Sequence, residues 1–285
     1  MTQTLLLATD LSNECRAAFS RAVLLANEHH ARLNILHVLD PFLPRAALRE
    51  LEKAVSREIE QLLIDTCESL GSPRPNTMIQ VVTGTPYAEI IREVYEQKAD
   101  LAILGSHRKH HQQDLVTGTT VSRVMRRAPC PVLSISHSTK RNWQDVLVPI
   151  DFSLASRHTL KEVLLRFPDI RLTLLHVWDM PASRELASDP GYARWRNEER
   201  TKLRQQLEFE TERFMADIDD VPDLELVLEQ GDPTEVLIQR VRDQPPDLLA
   251  LGSHGRIGIG RRTAGSLLER LLSETRCDIM LCRTW

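Results

Sequence analysis

The segment GTPYAEIIREV at residues 84–94 returns as GDPTEVLIQRV at residues 231–241, and this internal repeat constrains the chain more than any other feature. At the same offset of 147, Asp100 meets Asp247, LGSH at 104–107 meets LGSH at 251–254, Gly118 meets Gly265, and Cys130 meets Cys277. Chance does not hold one register that long. Toward the N-terminus the offset shrinks: LHVLD at 36–40 matches LHVWD at 175–179 with a shift of 139, and ATDLS at 8–12 matches PIDFS at 149–153 with a shift of 141. Insertions of a few residues account for the drift. The junction falls in the polar stretch TKRNW at 139–143, which predicts two domains, 1–140 and 141–285. A chain of 285 residues suits that division, because single hydrophobic cores stop growing in this size range.

Each copy alternates short apolar, β-rich runs with helical patterns, the mark of an α/β domain whose parallel sheet carries helices on both faces. The runs at 4–9, 32–38, 78–83, 100–105 and 131–136 give five strands in the first copy, and those at 145–150, 171–177, 224–229, 247–252 and 278–283 give five in the second. Between the second and third strands, Leu48, Leu51, Val55, Ile59, Leu62 and Leu63 recur at helical spacing and are expected to face the core. The counterpart around 192–216 offers Trp195, Leu203, Leu207 and Phe214, for which packing on the sheet outweighs a partner surface.

In open parallel sheets, ligands bind beyond the carboxyl ends of the strands, where strand order reverses. There the second copy reads GSHGRIGIGRRTAGS, residues 252–266, a G-x2-G-x9-G-S pattern that leads into the helical LLERLLSET. Gly252 and Gly255 allow backbone conformations with positive φ and let a ligand approach the main chain closely. Gly265 and Ser266 stand where the next helix should begin, and its exposed N–H groups suit a phosphate. Arg256, Arg261 and Arg262 are equally readable as phosphate-neutralising charges and as solvated surface. The spacing excludes a P-loop, since no Lys follows G-x4-G, and the dinucleotide fingerprint fails because Thr263 stands where its last glycine should be. In the first copy the loop is GSHRKHHQQDLVTGT, residues 105–119, and Arg108 replaces the second glycine. His107, His110 and His111 lie close together, but Asp114 is the sole adjacent carboxylate and no cysteine is near, so no metal site is assigned.

The glycine pattern after strand four, an Asp closing strand one and a Val closing strand two resemble the ATP-binding type of universal stress protein, and the resemblance spans both halves. It implies two tandem Rossmann-like domains of the adenine nucleotide alpha hydrolase-like kind, each a five-stranded parallel sheet of order 3-2-1-4-5. It also implies ATP or another adenine nucleotide as ligand, with or without Mg. The nucleotide would lie along Pro149, Ile150, Asp151, Val177, Leu251, Gly252, His254, Gly255, Arg256, Gly265, Ser266 and Leu267. A degenerate second site would comprise Asp10, Val38, Gly105, His107, Arg108, Gly118 and Thr119. The family's last strands pair antiparallel, which implies that 131–136 and 278–283 join within the chain, with a homodimer left open as a further assembly. Asp151 reads independently as an acceptor for an adenine amino group or ribose hydroxyl, or as a helix cap, a role Ser153 would share.

The formal net charge is -4, with 16 basic and 15 acidic side chains in residues 1–140 and 20 and 25 in the rest. Neither half has the basic excess of a nucleic-acid groove. No stretch approaches the roughly 20 apolar residues of a membrane span, and the N-terminal MTQTLLLATD has no basic region ahead of its short apolar run. Five cysteines without a C-x-x-C pair fit packed, reduced thiols, and the expected location is the cytoplasm. The leading function is that of a nucleotide-binding stress sensor or regulator. A slow ATPase or a nucleotidyl or phosphoryl transferase is the alternative, weakened by the lack of a recognisable nucleophile and base. A scaffold that binds no nucleotide is the third reading.

Overall fold

The computed structural model describes residues 3–106, 119–137, 141–178, 190–215, 223–253 and 264–283, with the side chains at 45–46, 214–215 and 264–266 set aside. The elements follow in chain order as β1 (Thr4–Ala8), α1 (Cys15–Glu28), β2 (Arg32–Leu39), α2 (Arg45–Leu70), β3 (Thr77–Thr83), α3 (Pro86–Glu96), β4 (Leu101–Gly105), α4 (Thr120–Arg127) and β5 (Val132–Ile135). The second repeat supplies β6 (Asp145–Pro149), α5 (Leu154–Arg166), β7 (Arg171–Trp178), α6 (Pro190–Met215), β8 (Asp223–Gln230), α7 (Pro233–Asp243), β9 (Leu248–Gly252), α8 (Ala264–Glu274) and β10 (Asp278–Cys282).

The chain forms two compact units, one of Met1–Asn142 with Leu268–Arg283 and one of Trp143–Leu267. In the first, the strand order is β3-β2-β1-β4-β5-β10. Its first five strands run parallel in the expected 3-2-1-4-5 order. β10 joins antiparallel, with Ile279 opposite Ser134, Met280 opposite Leu133 and Leu281 opposite Val132. The second unit holds β8-β7-β6-β9, all parallel. The expected five-stranded parallel order is met in β3-β2-β1-β4-β5, and the fifth strand of the second repeat, β10, makes the expected antiparallel pairing with β5. The reason is the open edge: β5 would otherwise present a row of unpaired N–H and C=O groups.

Central strands are apolar on both faces, as helix-covered parallel sheets require. All of β4 is buried, and Leu5, Leu6 and Leu7 of β1 are too. Edge strand β3, by contrast, is half-buried along nearly its whole length. The repeated Asp100 and Asp247 work at the opposite end from the glycine loops. Asp100 accepts from the Thr4 N–H at 2.8 Å, and Asp247 accepts from the N–H groups of Gln144 at 2.7 Å and Asp145 at 3.1 Å, so each fastens the start of its repeat's first strand.

Only part of the stripe on α2 is core: Ile59 and Leu63 are fully buried, whereas Leu48, Leu51, Val55 and Leu62 are half-buried. Length explains this for Leu48, Leu51 and Val55, which lie in the N-terminal half of the helix. A helix of 26 residues is roughly 39 Å long, against roughly 25 Å for the adjoining strands, so its N-terminal turns pass beyond the sheet. On α6, Leu207 is buried and Leu203 half-buried, while Trp195 is 46% exposed; Phe214 lies outside the described side chains. Among the described residues no helix is long and apolar enough to cross a membrane.

Candidate functional site

In each repeat the chain leaves its first strand through a turn that bulky residues rarely adopt. Leu11 has φ 63° and Phe152 has φ 62°, at positions matched by the shift of 141. A side chain in this left-handed region costs roughly 1–2 kcal/mol, and such strain gathers at functional positions. Each turn is closed by the preceding aspartate: Asp10 Oδ1 accepts from the Ser12 N–H at 2.9 Å, and Asp151 Oδ1 from the Ser153 N–H at 3.0 Å. Capping of α5 falls to Ser153, whose Oγ accepts from the Ser156 N–H at 3.2 Å. Asp151 is therefore a turn residue beside the helix and not its cap.

A histidine braces each turn from the neighbouring strand. His37 Nδ1 lies 2.9 Å from the Thr9 carbonyl, and His176 Nδ1 lies 2.9 Å from the Ile150 carbonyl. A carbonyl only accepts, so Nδ1 carries the proton in both rings. Burial lowers the His37 pKa, partly opposed by this bond and by the nearby Asp10 and Glu58 charges. The His176 ring also packs on Phe152, with centroids 4.9 Å apart. The sequence reading passed over both histidines, although each sits in the repeated LHV.

In the first unit, Asp10, Val38 and Gly105 come together on one cleft of about 190 Å³, with Cys15, Ser106 and Thr120 also on its walls. It opens at the carboxyl ends of β1, β2 and β4. Cys15 donates its thiol proton to Asp10 Oδ1 at 3.0 Å, and burial pushes its pKa up to about 11. Thr119 caps α4, its hydroxyl accepting from the Ser122 N–H at 3.2 Å. His107, Arg108 and Gly118 lie outside the described residues, as do His110, His111 and Asp114.

The second unit places Pro149 as the last residue of β6, with Ile150 and Asp151 following. Val177 is buried in β7, opposite Glu229 of β8, and Leu251 and Gly252 end β9. Gly265 and Ser266 fall in the first turn of α8, where backbone N–H groups have no partner within the helix, and Leu267 is buried one residue on. His254, Gly255, Arg256, Arg261 and Arg262 are outside the described residues.

Gly252 does not use the positive φ open to glycine: among the described glycines only Gly71 and Gly231 lie in that region. Close packing of the helix explains the glycine instead. A Cβ on Gly252 would meet Thr159 Oγ1 at 3.1 Å and the Ala155 carbonyl oxygen at 3.3 Å. Gly105 is tighter still, with Cys15 Sγ at 3.0 Å, Cys15 Cα at 3.1 Å and the Glu14 carbonyl oxygen at 3.2 Å. Both glycines let the first helix of the repeat lie against the end of its fourth strand.

Parallel strands, helix N-termini at the carboxyl edge and a carboxylate-closed turn define a Rossmann-type site class. The family model described as "Universal stress protein family" matches residues 1–136 and again 142–283, and the chain belongs to that family as a tandem, two-repeat member. A universal stress protein of Thermus aquaticus is 30% identical over 143 residues, covering 47% of this chain and 99% of that one. One from Mycolicibacterium smegmatis is 25% identical over 304 residues, covering 98% and 96%. The crystal structure of a universal stress protein from Archaeoglobus fulgidus shares the fold across 98% of this chain and 96% of its own, with a TM-score of 0.68 at 14% identity.

Proposed function

We propose that this chain is an adenine-nucleotide-binding regulator of the stress response, with its tight site in the second repeat. The observation that carries the reading is the course of the G-x2-G-x9-G-S segment. It leaves the end of β9 at Gly252 and enters the first turn of α8 at Gly265 and Ser266, where backbone N–H groups that have no partner within the helix lie at the positive end of its dipole. Asp151 and Val177, at the ends of β6 and β7, would hold the adenine and ribose, and His254, Gly255 and Arg256 would line the phosphates. Leu251 and Leu267 are buried beside the segment and fix its two ends. Mg would accompany a triphosphate, held by phosphate oxygens.

The first-repeat cleft has the same strand-end placement, but its loop carries Arg108 where the second repeat has Gly255. One tight nucleotide per chain is therefore expected. Denaturing the purified protein and identifying the released small molecule by mass spectrometry tests the ligand class. Calorimetric titration tests the rest: one tight site in the unaltered chain, none after Gly255→Arg, and at least a tenfold weakening, about 1.4 kcal/mol, after Gly265→Val. Two equal tight sites, or unchanged affinity in folded variants, would overturn the assignment.

A further inference from the structure

We propose that His176, and His37 in the first repeat, are positioning residues that hold the strained strand-end turn and so orient the carboxylates of Asp151 and Asp10 at the carboxyl ends of their strands. The two turns share a construction that the rest of the fold does not demand. The first strand ends, an aspartate follows, and the next residue is forced to positive φ, Leu11 in one repeat and Phe152 in the other. Glycine would take that conformation without strain, yet neither position has it. Something must hold a bulky residue there, and the same brace is present twice. A ring Nδ1–H from the neighbouring strand reaches the carbonyl of the residue just before the aspartate, at 2.9 Å in both repeats.

The second repeat adds contact with the strained residue itself, because the His176 ring lies 4.9 Å from the Phe152 ring. The histidine thus holds the turn on both sides of Asp151, by hydrogen bond before it and by ring contact after it. The aspartate in turn spends Oδ1 on the serine N–H two residues on, which orients its carboxylate. The chain of dependence runs from His to carbonyl to turn to carboxylate, and it is local to each unit. The functional consequence rests on the nucleotide reading given above; the brace itself does not.

Amide hydrogen exchange in the full-length protein tests the brace without any ligand. His176→Ala should speed exchange of the Ser153 amide at least tenfold, and His37→Ala that of the Ser12 amide, with amides in the middle of β1 and β6 unchanged. Because Phe152→Gly removes the strain, His176→Ala should have little further effect in that background. Unchanged exchange at Ser153 and Ser12 in folded variants would overturn the proposal. Should a variant fail to fold, nitrogen chemical shifts of the histidines in the unaltered protein decide: Nδ1–H rings are expected, and rings protonated only at Nε2 would refute the brace. In calorimetry His176→Ala should weaken ATP binding about tenfold. A protein that binds no adenine nucleotide would sink the functional reading while exchange still judged the brace.

Discussion

Gly105 and Gly252 occupy equal places in the two repeats, but the cost of a side chain differs between them. At Gly105 two of the three nearest atoms are backbone, at 3.1 and 3.2 Å, and cannot turn aside. Overpacking of this kind costs about 1–3 kcal/mol, against about 0.4–1 kcal/mol gained by restricting the unfolded chain. Gly105→Ala should therefore destabilise, by about 1–2 kcal/mol in urea unfolding, whereas Gly252→Ala, whose backbone neighbours stand farther off at 3.3 and 3.4 Å, should cost less. Cys15 and Cys277 make a second residue-scale prediction. Burial pushes both thiols up to about 11 from an ordinary value of 9.0. The folded form then holds its protons where the unfolded form has lost them, so stability is full below pH 9 and declines as pH rises toward 11. Denaturation midpoints measured from pH 8 to 11 should fall, and the fall should be shallower in the Cys15→Ser, Cys277→Ser double variant. At neutral pH the buried Cys277 thiol should alkylate only as fast as the fold opens.

Among the elements, α3 and α7 begin at the same point of the repeat with different caps. Asp232 accepts from both the Thr234 and Glu235 N–H groups at 3.0 Å, whereas Thr85 caps α3 without a side-chain bond. Asp232→Ala should cost about 1 kcal/mol, and Thr85→Ala distinctly less, in the same unfolding measurement. The helices themselves were legible from their apolar spacing, and so was the second-repeat loop's arrival at the start of α8. What the sequence concealed were features with no periodic signature. Positive φ at Leu11 and Phe152 is dictated by tertiary contacts, and a bulky side chain there signals nothing locally. The packing role of Gly252 was hidden for the opposite reason: glycine marks both backbone freedom and close packing, and only the neighbouring helix tells which. His37 and His176 left a trace in the repeated LHV, but an imidazole in an apolar strand reads as core until its carbonyl partner is seen.

Across the whole molecule, the resemblance to universal stress proteins, spread over both repeats, made the sheet order of the first unit and the pairing of residues 131–136 with 278–283 readable in advance. The open edge of a last strand needs a partner whatever its side chains are. The strand that meets this edge is β10, the last of the second repeat. A tie beyond the ladder holds β10, since Asp278 Oδ1 accepts from the Ser136 N–H at 2.8 Å, and the adjoining helices α4 and α8 are joined by Arg126 and Glu269 at 3.1 Å. A fragment ending at residue 142 would lose β10 and expose β5. It should self-associate with rising concentration in sedimentation velocity, and a strictly monomeric fragment would count against β10 as the edge cover. The same arrangement has a consequence in time. On the ribosome, β10 is made 146 residues after β5 begins, which at about 5–20 residues per second is a wait of roughly 7–30 s. For that interval the nascent first unit exists with its sheet unfinished and a bare hydrogen-bonding rim. A chain built this way cannot fold strictly from front to back, and it offers chaperones a binding edge for as long as translation takes to close it.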